Sequence, residues 1–317
     1  MKKGKKICIL GAGNVGASIA FSLTLQGLAS EIVMVDINEN KAKGEAMDII
    51  QGTAFSAPVN IYQGSYSDCD GADIVIVTVG MARKPGQSRL DLAQANIDII
   101  KQVMPQITPH APDAVYVVVS NPVDILTYTI IKHSGLPESQ ILGSGTTLDS
   151  SRLRERLAEH VHLNPKNVHA YVFGEHGDTS MIPWSLTCIA GMPMAQYCTH
   201  ICDRHNGCGK GELRDIEDDV RTAGAKVIQL KGATFYAIAM AVSRICECIT
   251  RDTDSVLTVS MLTNGRYNLP QVALSLPAVV GAHGIKQVIT PPLLPNEEQL
   301  LRKSADTLKA LIDQLDI

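Results

Sequence analysis

Short runs of apolar, largely β-branched residues recur through the first half of the chain, separated by polar segments with a helical rhythm. Lys6–Leu10 (KICIL) and Glu31–Val35 (EIVMV) are two such runs, and residues 73–79 (DIVIVTV) and 114–119 (AVYVVV) are two more. Runs that are apolar at nearly every position suit parallel strands covered on both faces. Residues 15–26 and 41–51 read as the helices between them. Strand and helix alternating at this spacing predict an α/β fold, a doubly wound parallel sheet.

Past residue 145 the texture changes. The pattern predicts a helix over 150–161, strand-like segments over 168–173 and 181–189, a long helix over 212–249, and a last helix from 296 to the end. The chain therefore divides into a first unit, 1–144, and a second α+β unit, 145–317. No internal repeat or low-complexity linker interrupts them.

At 317 residues the chain exceeds what one small core would need, and 45% hydrophobic with 19% charged residues is ordinary for a soluble globular enzyme. Lysines and arginines number 28 against 32 acids, a net charge of −4, which gives no pull toward nucleic acid or an anionic membrane. The basic start is followed by an apolar run of only Ile7 to Leu10, shorter than a secretory core segment, and no stretch reaches the roughly 18 apolar residues of a spanning helix. A cytoplasmic protein is expected. Its eight cysteines are scattered, so reduced thiols are expected rather than a disulfide scaffold. Cys198, Cys202 and Cys208, with His200 and His205 nearby, have the residue types of a zinc site but irregular spacing, and no metal is expected.

Gly11-Ala12-Gly13-Asn14-Val15-Gly16 is a G-x-G-x-x-G directly after a predicted strand and opening a predicted helix. The first glycine allows a tight turn, the second a close approach to a pyrophosphate, and the third close helix–strand packing; the helix N-terminus faces the anion. Asp36 ends the next strand, 20 residues after Gly16. A carboxylate there accepts from ribose hydroxyls and repels a 2′-phosphate, which favours NAD over NADP.

Gly174-Glu175-His176-Gly177-Asp178 sets a histidine between glycines just after a strand. Such a histidine can take an alcohol proton as hydride leaves and return it in reverse. It needs an orienting carboxylate, for which Asp149 is the candidate, although a helix N-cap is an equally ordinary use of an aspartate there. Arg152, three residues on, shares its helix face and can hold a substrate carboxylate in a bidentate fork, or be one more solvated charge beside Arg154, Glu155 and Arg156. The segment from Gly80 to Asp91 is a polar loop at the carboxyl end of a buried strand, placed to close over a ligand. Asn121, after the next strand, offers an amide to the cofactor or the substrate hydroxyl.

Together these segments resemble the L-lactate/malate dehydrogenase family: GAGNVG, Asp36, RKPGQSRLDL, SNPVDI, GSGTTLDSSRLR, GEHGDTS and KGATFYAIA occur in family order across nearly the whole chain. The resemblance implies an NAD-binding Rossmann domain followed by an α+β catalytic domain. It implies that Gly11, Gly13, Asn14, Val15, Gly16, Asp36 and Asn121 serve the cofactor, and that His176 is the proton donor and acceptor with Asp149 as its partner. By the same resemblance Arg152 binds the substrate carboxylate, Arg89 polarises the carbonyl from the closing loop, and Asn121 assists in orientation. A homo-oligomer, tetramer or dimer, acting on a small 2-hydroxy or 2-oxo acid is implied too.

Two features pull the substrate expectation apart. Arg83 matches a position facing the far end of the substrate, where malate dehydrogenases carry arginine; closing it over a methyl group would bury an unpaired charge at a cost of about 3–5 kcal/mol. On that argument malate and oxaloacetate are the first expectation. The Lys231-Gly232-Ala233-Thr234 segment instead looks like bacterial lactate dehydrogenases, with Thr234 facing the substrate. Arg154 and His169 match positions that bind a sugar-bisphosphate activator in allosteric members, although a salt-bridged helix arginine and a strand histidine are the plainer account. L-Lactate and pyruvate, with activation by fructose 1,6-bisphosphate, form the alternative. A rival of another class is a protein that binds NAD only as a sensor.

Overall fold

The computed structural model describes residues 5–81, 86, 88–201 and 210–317. The first half runs β1 (Lys6–Leu10), α1 (Asn14–Gln26), β2 (Glu31–Val35), α2 (Glu39–Gln51), β3 (Asn60–Gln63), β4 (Ile74–Val77), α3 (Arg89–Ile107), β5 (Val115–Val118), α4 (Val123–His133) and β6 (Ile141–Gly143). These strands pair in parallel in the order β6-β5-β4-β1-β2-β3. Every residue of β4 and β5 is buried, as continuous apolar runs covered by helices on both faces require. The chain leaves β1 for β2 and β3 on one side and returns to β4 on the other. A crevice therefore opens at the carboxyl ends of β1 and β4, the place where such sheets bind ligands.

The second half contains α5 (Thr147–Val161), β7 (Val168–His169), β8 (Cys188–Ile189), β9 (Met192–Pro193), α6 (Met194–His200), α7 (Lys210–Lys231), α8 (Tyr236–Arg251), β10 (Ser255–Leu262), β11 (Ala273–Gly281), β12 (Gly284–Val288) and α9 (Pro295–Ile312). Strands β10 to β12 extend the parallel sheet as antiparallel neighbours, and β10 meets β6 at Ser260 opposite Gly143. Among the described residues the sheet thus has nine strands, beside a small three-stranded sheet of β7, β8 and β9. One apolar core fills the large sheet; a second packs α5 against the small one through Leu153, Leu157, Val168 and Ile189.

Two expectations are corrected. The helix expected over 212–249 is two helices, because Gly232 takes a left-handed φ of +86° after α7 and residues 233–235 carry no helix. Lys231 spans the break, its Nζ 3.6 Å and 4.1 Å from the ring centres of Phe235 and Tyr236. The strands expected over 168–173 and 181–189 shrink to β7 and β8, which pair antiparallel through Val168 opposite Ile189 and His169 opposite Cys188, and beyond them only an isolated bridge between Phe173 and Met181 remains, because the chain turns aside through the loop between them. No helix among the described residues is long and apolar enough to cross a membrane.

Candidate active site

The crevice after β1 is made of backbone. Gly11 has φ +100° and donates its N–H to Val35 O at 2.7 Å, a turn that carries the chain straight from strand to helix. A Cβ on Gly16 would lie 2.0 Å from Gly11 O, so helix and turn touch there, whereas a Cβ on Gly13 would meet nothing within 4 Å. Gly13 is the N-cap of α1 and supplies no side chain, so the first amides of the helix face the open crevice. The carboxylate of Asp36 closes the far side: Oδ2 accepts Ala12 N–H at 2.6 Å and Oδ1 accepts Asn38 N–H at 2.8 Å. Each oxygen keeps a lone pair, and the carboxylate is held rigid at the position where a ribose edge would reach it. An open glycine, unpaired helix amides and a fixed acid fit a dinucleotide.

The loops after β4 and β5 are tied to each other by Asn96 of α3, which is 1% exposed. Its Oδ1 accepts Met81 N–H at 2.7 Å and its Nδ2 donates to Asn121 O at 2.8 Å. Sequence reasoning passed over Asn96, because a polar residue inside a helix reads as surface until both loops close on it. The Asn121–Pro122 peptide is cis, and the Asn121 side chain accepts Val123 N–H at 3.3 Å.

The acid–base centre joins segments far apart in sequence. His176 Nδ1 lies 2.6 Å from Asp149 Oδ2, while Asp149 Oδ1 accepts from Arg152 Nη1 at 2.8 Å. Asp149 is therefore no N-cap: it is the third residue of α5, its N-cap is Thr146, and its carboxylate points at side chains. Burial pushes the Asp149 carboxyl up, but the neighbouring His176 and Arg152 outweigh it and hold the group below its ordinary value. Burial pulls the His176 imidazole down, and the Asp149 carboxylate overcomes that and raises it to about 9. An ionised Asp149 can only accept, so Nδ1 carries the proton and Nε2 is the nitrogen left to a substrate. The His176 backbone N–H is itself held, at 2.7 Å, by Oδ2 of buried Asp124, whose other oxygen accepts the Ser260 hydroxyl at 2.6 Å. The loop hangs from α9 as well, since Glu175 N–H donates to Ser304 Oγ at 2.7 Å. Asp124 stood inside the NPVD segment without a role, and no spacing signal connects it, Ser260 or Ser304 to His176.

Other candidates fall as follows. Arg89 opens α3, exposed, with Nη2 2.7 Å from Asp178 Oδ2, so it is tied to the catalytic loop itself. Thr234 sits in the break between α7 and α8. Arg154 donates through Nε to Ala170 O at 3.0 Å and stacks 5.2 Å over the Tyr171 ring, while His169 is exposed on β7. Arg83, Cys202, His205 and Cys208 lie outside the described residues. Among the described residues no three His, Cys, Asp or Glu side chains are grouped to hold a metal ion.

Comparison with known proteins agrees with this geometry. The family profile described as lactate/malate dehydrogenase, NAD binding domain, matches residues 5–143, and that described as lactate/malate dehydrogenase, alpha/beta C-terminal domain, matches residues 146–316. L-lactate dehydrogenase 1 of Clostridium acetobutylicum is 49% identical over 99% of this chain and 100% of its own, and the L-lactate dehydrogenase of Acetivibrio thermocellus is 48% identical over 99% and 98%. The crystal structure of the minor L-lactate dehydrogenase from Enterococcus mundtii superposes with a TM-score of 0.94 at 37% identity, covering 99% of each chain. These relatives overturn malate and oxaloacetate as the first substrate expectation. That expectation rested on one charge, Arg83, turned inward over the substrate, and Arg83 is outside the described residues, so its premise has no geometry behind it. The likeness to L-lactate dehydrogenases extends over 99% of the length of this chain.

Proposed function

The chain belongs to the lactate/malate dehydrogenase family, whose members are NAD-dependent 2-hydroxy-acid dehydrogenases, and from that premise we propose that its substrate pair is L-lactate and pyruvate. The observation that carries the chemistry is the Asp149 carboxylate shared between His176 at 2.6 Å and Arg152 at 2.8 Å. NAD, when bound along the glycine turn with its ribose at Asp36, supplies hydride transfer. His176 gives its Nε2 proton to the 2-oxo oxygen in reduction and takes it back in oxidation. Asp149 holds the tautomer and stabilises the imidazolium. Arg152 keeps guanidinium nitrogens beyond the one spent on Asp149, enough to fork a substrate carboxylate. Arg89 exchanges Asp178 for the substrate carbonyl when the loop after β4 closes, an inexpensive exchange because an exposed ion pair contributes only about 0–1 kcal/mol. Asn121 orients the substrate from the cofactor side, and Thr234 borders the substrate's far end.

The same reading divides the chain at residues 144 and 145, places it in the cytoplasm, and makes it a homo-oligomer. Fructose 1,6-bisphosphate is the activator tested at Arg154 and His169. The experiment is initial rates of NADH oxidation with pyruvate against oxaloacetate, each with and without fructose 1,6-bisphosphate. The expected result is a kcat/KM for pyruvate at least about tenfold higher, equivalent to about 1.4 kcal/mol in the transition state. A higher value for oxaloacetate defeats the substrate proposal, and an absence of turnover with either acid defeats the site reading.

A further inference from the structure

Thr78 stands one residue past β4 and Asp36 one residue past β2, and β2 and β4 are the strands paired with β1 on either side. The two side chains therefore flank the glycine turn that follows β1. Asp36 Oδ2 accepts Ala12 N–H at 2.6 Å. Thr78 Oγ1 donates toward Leu10 O at 2.8 Å and Gly11 O at 3.0 Å. Gly11 O and Ala12 N–H belong to one peptide unit, and because it is trans they point in opposite directions. That peptide is gripped at both ends by side chains from different strands.

Glycine makes such a grip useful here. Gly11 takes a φ of +100°, a region open to glycine and with little steric resistance to rotation. The orientation of the Gly11–Ala12 peptide sets the line on which the first amides of α1 leave the strand toward the crevice. Among the described residues no backbone amide donates to Gly11 O, so the Thr78 hydroxyl is what satisfies it. The hydroxyl also fills the room that side chains on the turn would take: a Cβ on Gly11 would lie 2.7 Å from Thr78 Oγ1, and one on Gly16 3.0 Å. With its proton spent on backbone carbonyls, Thr78 stands behind the crevice rather than in it.

We propose that Thr78 is a positioning residue for the dinucleotide: its hydroxyl and the Asp36 carboxylate clamp the Gly11–Ala12 peptide, so that the helix amides are already aimed when the pyrophosphate arrives. A turn ordered beforehand need not be ordered at the moment of binding, and the saving appears as affinity. The glycine motif thereby gains a member from outside its own stretch, 62 residues after Gly16. The proposal concerns the cofactor and is independent of which 2-oxo acid is reduced.

Thr78→Val keeps the branched shape and removes the hydroxyl, whereas Thr78→Ser keeps the hydroxyl and removes a methyl. On the full chain, calorimetric titration gives the Kd of NADH and of ADP-ribose, which carries the pyrophosphate without the nicotinamide. Thr78→Val is expected to raise both Kd values by about fivefold or more. Thr78→Ser is expected to lie nearer the parent than to Thr78→Val. Thr24→Val is the control: its hydroxyl donates to Ala20 O at 2.9 Å within α1 and away from the turn, so both Kd values should stay within about twofold of the parent. Should the valine variant not fold, Thr78→Ala takes its place with the same expectation. A rise of less than about fivefold without the hydroxyl overturns the proposal. So does a serine variant no nearer the parent than the valine one, a loss for NADH that ADP-ribose does not share, or an equal loss in Thr24→Val.

Discussion

The cofactor crevice and the catalytic centre both open at the carboxyl ends of the parallel strands, yet they are built from different material. The crevice is backbone: the amides of α1, the turn at Gly11, and Asp36 held by two more amides, all within residues 11–38. The centre is side chain: His176, Asp149, Arg152, Asp124 and Ser260 converge from a loop, two helices and a strand. A backbone site is sensitive to added atoms, and a side-chain site to lost ones. The two regions should therefore fail in different ways.

The largest effect belongs to the centre. His176→Gln is expected to lower kcat by about 10³-fold or more, and Asp149→Asn by about 10²–10⁴-fold through the wrong tautomer. NADH affinity, read by fluorescence titration, should stay within about twofold in both, because the crevice is built without these residues. A parallel collapse of NADH binding would break the separation of the two regions.

In the crevice the contrast is between two glycines. Gly16→Ala forces a Cβ to 2.0 Å from Gly11 O and should cost about 1–3 kcal/mol of folding stability along with cofactor binding. Gly13→Ala meets open space in the protein alone, so its stability should change by no more than about 0.5 kcal/mol. Its NADH Kd should nonetheless rise about tenfold or more, about 1.4 kcal/mol, from the atom placed in the pyrophosphate's path. Calorimetry and binding measured on both variants separate these outcomes; equal losses of stability would contradict the geometry.

The centre also has a pH signature. His176 has a folded-state value of about 9 against an ordinary 6.5, so its raised affinity for a proton stabilises the folded protein fully below about pH 6.5. That contribution, on the order of 3 kcal/mol, is lost as pH rises through 9. The Tm of the parent protein should therefore approach that of His176→Gln between pH 6.5 and 9.5, and a constant gap across that range would contradict it. The smallest effect is expected at the rim, where Asp178→Asn removes the exposed ion pair with Arg89 and should change stability by less than about 1 kcal/mol.

Much of the crevice was legible in the sequence, because every part of it lies on one strand–turn–helix–strand stretch and glycine is a residue type with a backbone meaning. The pairing of His176 with Asp149 was available as a candidate, but the helix cap was its equal until α5 placed Asp149 at its third position. Asn96, Asp124, Ser260 and Ser304 were not legible at all. Each is an ordinary polar residue in a helix or strand, and each acquires meaning only from a partner brought near by folding. The strands β10 to β12 escaped the reading for a related reason: they complete a sheet whose other strands lie more than a hundred residues earlier.

The sequence by itself determined the alternation of buried strands and covering helices, the dinucleotide turn with its acid, and the family. These are properties of short stretches, set by apolar period, glycine and local spacing. Only the tertiary structure decided that the sheet runs on into the second half, that the long helix breaks at Gly232, and that Asp124 stands behind His176. Those outcomes depend on which distant segments share a buried space, where an unpaired polar group is costly and a matched one specific, and no local pattern encodes that pairing.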